Sequence, residues 1–191
     1  MAYGDYSPWV LKIMKQDGSI IDLADIFNTL RRSLVVMSDS EQKLLEGAAF
    51  HAFFETVVSA GDNAYFSFTT GPKPIIANIQ TFTVNEGVVT IEMFEDADAT
   101  GGSNVTIFNM DRTNTTPCSV TISNAPTVNA EGIRIDKTSV GSTAIANNVI
   151  TSIINGYLPW RLKPNTTYLV KFSNADTSDI NVITRILMLE D

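Results

Sequence analysis

The stretch Trp160-Arg161-Leu162-Lys163-Pro164-Asn165-Thr166-Thr167-Tyr168-Leu169-Val170-Lys171-Phe172 constrains the fold more than any other part of the chain. Pro164 fixes φ and lacks a backbone N–H, while Asn165 tolerates left-handed geometry, so the pair marks a tight turn rather than a paired central strand. After the turn, Tyr168, Val170 and Phe172 alternate with Leu169, Lys171 and Ser173, the two-residue period of a pleated strand. A second alternating run follows at Ile180, Val182, Thr184, Ile186 and Met188 and closes on Glu190 and Asp191. The order is strand, turn, strand, strand, which predicts a β-meander at the C-terminal end.

Regular punctuation extends this reading upstream. Gly61-Asp62-Asn63 leads into a strand over Ala64–Thr70, Gly71-Pro72-Lys73-Pro74 into Ile75–Val84, and Asn85-Glu86-Gly87 into Val88–Phe94. The loop Glu95–Ser103 precedes a strand over Asn104–Asn109, and further strands are predicted at Ser119–Ile122, Gly132–Asp136 and Asn155–Leu162. Thr113–Pro117 and Ala125–Glu131 read as loops without aromatics. Short strands separated by turn residues every 8–12 residues or so predict an all-β, antiparallel sandwich, with a jelly roll as the leading topology.

Ser38–Val58 carries two signals. Ser38 and Glu41 have capping-box spacing, and Leu44, Leu45, Ala48 and Ala49 fit a helical stripe, but Gly47 interrupts it. Phe50, Ala52 and Phe54 then alternate, so a turn or two of helix leads into a strand over Phe50–Val58. Residues 1–37 form an N-terminal arm ahead of a sandwich domain at 38–191. Within the arm, Lys12–Ile21 reads as a hairpin about Asp17-Gly18. Asp22–Leu34 reads as a short helix, with Leu23, Ile26, Phe27 and Leu30 on one face.

Apolar residues make up 44% of the chain and charged ones only 18%, so Thr, Asn and Ser supply much of the polar surface, as on exposed sheets. The formal net charge of −8, with Arg31-Arg32 as the nearest thing to a basic cluster, argues against nucleic acid as a partner. No basic segment followed by an apolar stretch marks a signal peptide, and no run spans a bilayer. The expectation is a protein made in a cytoplasm, without a membrane partner. The single cysteine, Cys118, reads as a small buried hydrophobe.

Chemistry finds little to build on. His51 is the one histidine and sits in an alternating Phe/Ala run, so it reads as structural rather than as a catalytic base or metal ligand. Glu95, Asp96, Asp98 and Asn104 offer oxygen ligands, but their spacing is not that of an EF-hand loop, and no metal is assigned. Gly101-Gly102 lacks the lysine and helix of a phosphate loop. No cofactor and no catalytic residue follow. Trp9, Trp160, Tyr157 and Tyr168 are of a type that stacks sugars, yet aromatics in strands more often fill cores.

Four segments together resemble a family of tailed-bacteriophage virion proteins, small jelly rolls of the head decoration or cement type. They are Glu46-Gly47 with Phe50, leading to Phe68-Thr69-Thr70-Gly71; the strand Val88–Phe94 ending Met93-Phe94-Glu95; Phe108-Asn109-Met110-Asp111-Arg112-Thr113-Asn114, similar to the family's Asn-x-Asn-Arg-Asn-Ser; and Trp160-x-Leu-x-Pro-Asn-Thr-x-Tyr-Leu with Asn174 beyond. The likeness runs from about Leu44 onward and keeps the order of the pieces. Leu45, Asp111 and Met188-Leu189 depart from the family pattern. The resemblance implies a non-enzymatic capsid decoration protein on the outer head surface. Its partners would be the major capsid protein and further copies of itself, commonly as trimers. A receptor- or glycan-binding module of a head or tail fibre is the alternative.

Two expectations about particular residues complete the reading. Arg112, an isolated cation among Asn109, Asp111 and Asn114, is expected to bridge their oxygens and hold a loop. The arm is too apolar to stay solvated and must bury against its own subunit's sheet, a sister subunit or the capsid; if it serves attachment or oligomerisation, Tyr6, Trp9, Phe27 and Leu30 are its candidates for interface contacts.

Overall fold

The computed structural model describes residues 12–14, 20–22, 39–83, 87–142, 150–153 and 159–190. The backbone divides into two units, Met1–Ser38 and Asp39–Asp191. In the first, β1 (Lys12–Met14) pairs antiparallel with β2 (Ile20–Asp22), Ile13 opposite Ile21. The Asp17-Gly18 turn expected between them, the helix expected beyond Asp22, and Tyr6, Trp9, Phe27 and Leu30 lie outside the described residues.

The second unit opens with α1 (Asp39–Leu45). Gly47, at φ +71°, ends it: its N–H reaches the Leu44 carbonyl at 3.0 Å, and the Ala48 N–H reaches the Lys43 carbonyl at 2.8 Å. Glycine suits this left-handed cap, and a Cβ here would also run into the Asn114 side chain. The strands that follow are β3 (Ala49–Val58), β4 (Asn63–Thr69), β5 (Ile75–Thr83), β6 (Gly87–Glu95), β7 (Asp98–Thr100), β8 (Ser103–Asn104) and β9 (Ile107–Asn109). Then come β10 (Thr121–Asn124), β11 (Thr127–Ala130), β12 (Ile133–Ser142), β13 (Ile150–Ile153), β14 (Trp160–Leu162), β15 (Thr167–Asn174) and β16 (Ile180–Glu190).

Two antiparallel sheets make a β-sandwich. The first has the order β13-β5-β16-β3-β9, with β14 also paired to β5; the second has the order β12-β6-β15-β4-β10-β8. A small ribbon, β7 with β11, stands apart. The strands from β3 to β6 alternate between the sheets, and so do β14, β15 and β16. The meander expected at the C-terminal end is therefore wrong: β14 and β16 lie in the first sheet, and β15 between them lies in the second. The Pro164-Asn165 turn is present, with Asn165 at φ +51°, but it hands the chain across the sandwich. Alternation records which side chains face inward; it does not say which strand is the neighbour.

Other boundaries shift for similar reasons. The strand expected over Asn104–Asn109 breaks in two, because β8 pairs with β10 in the second sheet and β9 with β3 in the first. The expected loops Glu95–Ser103 and Ala125–Glu131 contain the paired strands β7 and β11. The strand expected at Gly132–Asp136 runs on to Ser142 through a register irregularity between Arg134 and Asp136. The strand expected at Ser119–Ile122 sits two residues later. β13 was not anticipated.

Inward side chains close the core. Phe66 meets Phe54 edge-on at 4.9 Å and Phe172 at 5.7 Å, and Phe68 stacks on Tyr168 at 5.2 Å. Burial of each such ring contributes roughly 2–3 kcal/mol. Polar ties close one end of the sandwich. Thr70 donates from Oγ1 to the Lys163 carbonyl at 2.6 Å and accepts at the same oxygen from the Thr166 N–H at 3.0 Å. The Tyr168 hydroxyl donates to Glu95 Oε2 at 3.0 Å, and burial pushes the phenol up to about 12. The buried Glu190 carboxylate accepts from the Ser119 hydroxyl and amide and from Lys73.

Candidate functional site

The outer face of the first sheet is apolar over much of its area. On β3 the inward residues are Phe50, Ala52, Phe54 and Val58, so His51, Phe53, Glu55 and Val57 face away from the core. Strand register sets their neighbours: Leu187 of β16 lies opposite His51, Arg185 opposite Phe53 and Ile183 opposite Glu55, while Phe108 of β9 flanks His51 on the other side. Leu189 lies beside Ala49 and Ile76. Phe53 is 54% exposed and Val57 59%, with Met110 at 45% and Leu45 of α1 at 69%. Scattered exposed apolar residues need no explanation, but a contiguous set on one face marks an interaction surface.

The rings form a ladder. His51 stacks on Phe53 at 5.8 Å, Phe53 stacks on Phe108 at 6.4 Å, and the Arg112 guanidinium lies over Phe108 at 5.4 Å from the ring centre. Burial, with a further push from the nearby Arg185 charge, holds the His51 imidazole below its ordinary range. Next to the ladder an open groove of about 380 Å³ is lined by Leu44, Ile76, Asn78, Met110, Leu187 and Leu189. Met110 and Leu187 also border the shallower depression beside His51, Phe108 and Arg112, so ladder and groove adjoin.

Arg112 sits at the edge of this surface. Its Nη1 donates to the Asn109 carbonyl at 3.5 Å, and its guanidinium lies over the Phe108 ring. The buried side chain of Asn109 also ties the 109–116 loop together. Its Nδ2 donates to the Gly47 carbonyl at 2.8 Å and to that of Thr116 at 3.3 Å, and its Oδ1 accepts from the Asp111 N–H at 2.9 Å. Asp111 in turn accepts from the Thr113 amide and hydroxyl, which hold its carboxyl below the usual range.

The acidic loop is used structurally. Lys163 donates to Glu95 at 2.6 Å and, more than any other neighbour, holds that carboxyl below its ordinary range. Among the described residues, no three His, Cys, Asp or Glu side chains converge as metal ligands. Cys118 is half-buried, and burial lifts its thiol to about 11, far from a reactive thiolate. Among the described residues no helix is long and apolar enough to cross a membrane.

The second sheet's outer face differs. Ion pairs cross it: Arg134 donates to Glu92 at 2.7 Å, and Lys171 to Glu131 at 2.8 Å. Thr and Ser hydroxyls pair between strands, as Thr69 with Thr167 at 3.0 Å. The β7–β11 ribbon and its flanks are tied to this sheet through the Ala97 N–H to the Thr167 carbonyl and the Ala125 N–H to the Tyr65 carbonyl. On the same outward row Leu169 and Phe94 are buried, although both lie outside the central core cluster.

The apolar face was not anticipated, yet a signal for it exists. In Phe50-His51-Ala52-Phe53-Phe54 and Ile183-Thr184-Arg185-Ile186-Leu187-Met188-Leu189, apolar residues occupy both phases of the alternation. That pattern belongs to strands with two apolar faces. No protein-family model and no curated protein sequence matches this chain.

Proposed function

We propose that this chain is a non-enzymatic structural protein of a tailed-phage virion, a jelly roll that decorates the outer capsid and stabilises the head. The apolar outer face of the first sheet is the observation that carries a role in protein assembly. The strand order supports the topology: β3, β5, β13 and β16 fill one sheet while β4, β6, β12 and β15 fill the other, and each pair of neighbours is drawn from distant parts of the chain.

The segments that carry the family resemblance also meet in space. Gly47 accepts from Asn109, Gly71 accepts from the Asn165 N–H at 2.9 Å, and Glu95 accepts from Tyr168 and Lys163. These are the joints of the fold, which supports a likeness in architecture rather than in a reaction. Decoration then works by linkage. A subunit that binds only the assembled, expanded shell stabilises that state, by about 2.7 kcal/mol per site at a hundredfold excess over Kd.

Decoration is favoured over glycan binding because the exposed Phe53 and Phe108 rings share their surface with the aliphatic side chains of Val57, Met110 and Leu187. A sugar stacks on an open ring face, whereas ring edges and aliphatic groups suit another protein. The test is binding to expanded capsids that lack the protein. Saturable binding that raises their heat resistance is expected. Strong binding to a glycan array without any capsid association would overturn the proposal.

A further inference from the structure

Strand β3 is longer than the strand on one of its flanks. On one side β16 pairs with it without interruption from Ala49 to Val58, whereas on the other β9 reaches only Phe50, His51 and Ala52. The Ala48 carbonyl accepts from the Glu190 N–H and the Ala49 carbonyl from the Met110 N–H. Even-numbered residues of β3 thus turn their backbone groups toward β16, and odd-numbered ones toward β9. The N–H and C=O groups of Glu55 and Val57 therefore face an edge that no other strand among the described residues occupies. The chain has left this edge by Val105, whose N–H bonds to the Ile122 carbonyl of the second sheet. A cleft of about 350 Å³ remains beside the edge, bordered by Phe54, Ser103, Asn104, Thr106 and Asn124.

We infer that this open edge of β3 takes up an extended segment of a different protein as an added antiparallel strand, with the pattern apolar–Ser/Thr–basic opposite Val57, Thr56 and Glu55 in turn. The backbone groups of Glu55 and Val57 exchange hydrogen bonds with the residues opposite them. On the outer face Val57 is 59% exposed and takes the apolar side chain. Glu55 is exposed and takes the basic one, which also lies diagonal to Phe53 and within reach of its ring. The middle residue points inward beside Ser103, Asn104 and Asn124, where a small hydroxyl fits. Arg185 stands on the β16 side of β3, two strand spacings or roughly 10 Å from the incoming cation. A second copy suits the edge poorly. Two-fold pairing over residues 53–57 sets each Glu55 opposite or diagonal to the other, on chains of formal charge −8. The inference goes beyond the capsid reading and does not require it.

The experiment titrates the isotope-labelled full chain with an end-blocked Thr-Thr-Val-Thr-Arg-Thr-Thr peptide and follows backbone amides by NMR. Saturable shifts are expected at residues 53–57 and 103–106. N-methylation of the peptide's valine and arginine removes the N–H groups that bond to Val57 and Glu55, and should weaken binding about tenfold or more. Glu55→Arg should do the same, and a peptide with glutamate in place of arginine should restore its binding. Val57→Pro deletes a donor that the isolated subunit does not use, so the melting temperature should hold while binding is lost. If that variant does not fold, the N-methylated peptide poses the same question to an unaltered protein. No saturable binding, shifts confined to other residues, or indifference to N-methylation or to Glu55→Arg would overturn the inference. The titration contains no capsid, so its failure leaves decoration standing, and a failure to bind capsids leaves the added strand standing.

Discussion

Leu169 of β15 and Leu187 of β16 both point away from the core of the sandwich, one from each sheet, yet Leu169 is fully buried and Leu187 is 36% exposed. The difference is what the chain does next to them. On the second sheet the excursion between β6 and β12 returns as the β7–β11 ribbon, and the rest of that face is filled with Thr, Ser and paired charges. On the first sheet the same excursion contributes only the short edge strand β9, leaving Phe53, Phe108, Met110 and Leu187 at the surface. One sheet is covered by its own chain and the other keeps apolar side chains at its surface. An insertion between two strands can thus cover one face of a sandwich while widening the other.

The sharpest way to break this comparison is a matched pair of truncations. Leu169→Ala is expected to cost about 3 kcal/mol, because it opens a cavity under a covered site, whereas Leu187→Ala should cost below ~1 kcal/mol in the isolated subunit. Urea denaturation of both variants measures it. Equal losses would mean that the first face is covered as fully as the second.

Acid should come next in size. Burial opposes the charge on Glu190 and on Glu92, but the Ser119 hydroxyl and amide with Lys73, and Arg134 with Lys137, outweigh it and hold both carboxyls below their ordinary range; Glu95 is held down chiefly by Lys163. Groups with depressed folded values stabilise above the unfolded value of 4.5 and lose that contribution as pH falls through the folded values. Melting temperature should therefore be steady down to about pH 5 and drop below 4.5. In Glu190→Gln part of that drop should vanish.

His51 gives the first face its own, weaker pH signature. Burial and Arg185 depress its folded value beneath 6.5, so the unfolded chain takes the proton first and stability declines as pH falls through 6.5 toward the folded value. His51→Gln should flatten the melting temperature between about pH 7.5 and pH 5.5. An unchanged slope would place the titrating group elsewhere.

The smallest effect belongs to the cover of the second sheet. Ala125 stands at φ +53°, a left-handed position that disfavours a Cβ, at the turn between β10 and β11. Ala125→Gly should gain a few tenths of a kcal/mol, up to about 1, measured by the same denaturation.

The amino-acid sequence by itself determined that this chain is built of strands, where most of them lie, and that Pro164-Asn165 is a turn. Those properties depend on neighbours two or three residues apart, which the linear order displays directly. It also held the signal for two apolar faces in β3 and β16, in the doubled alternation around Phe53 and Leu187. Only the tertiary structure decided that β14, β15 and β16 alternate between sheets instead of forming a meander, and that the Asn109 side chain ties the 109–116 loop to Gly47. It likewise decided that Leu169 is covered while Leu187 is not. Pairing, hydrogen-bond partners and burial join residues tens of positions apart. Local periodicity carries no record of those distances, because a strand of given pattern can satisfy its backbone against any neighbour that presents the right edge.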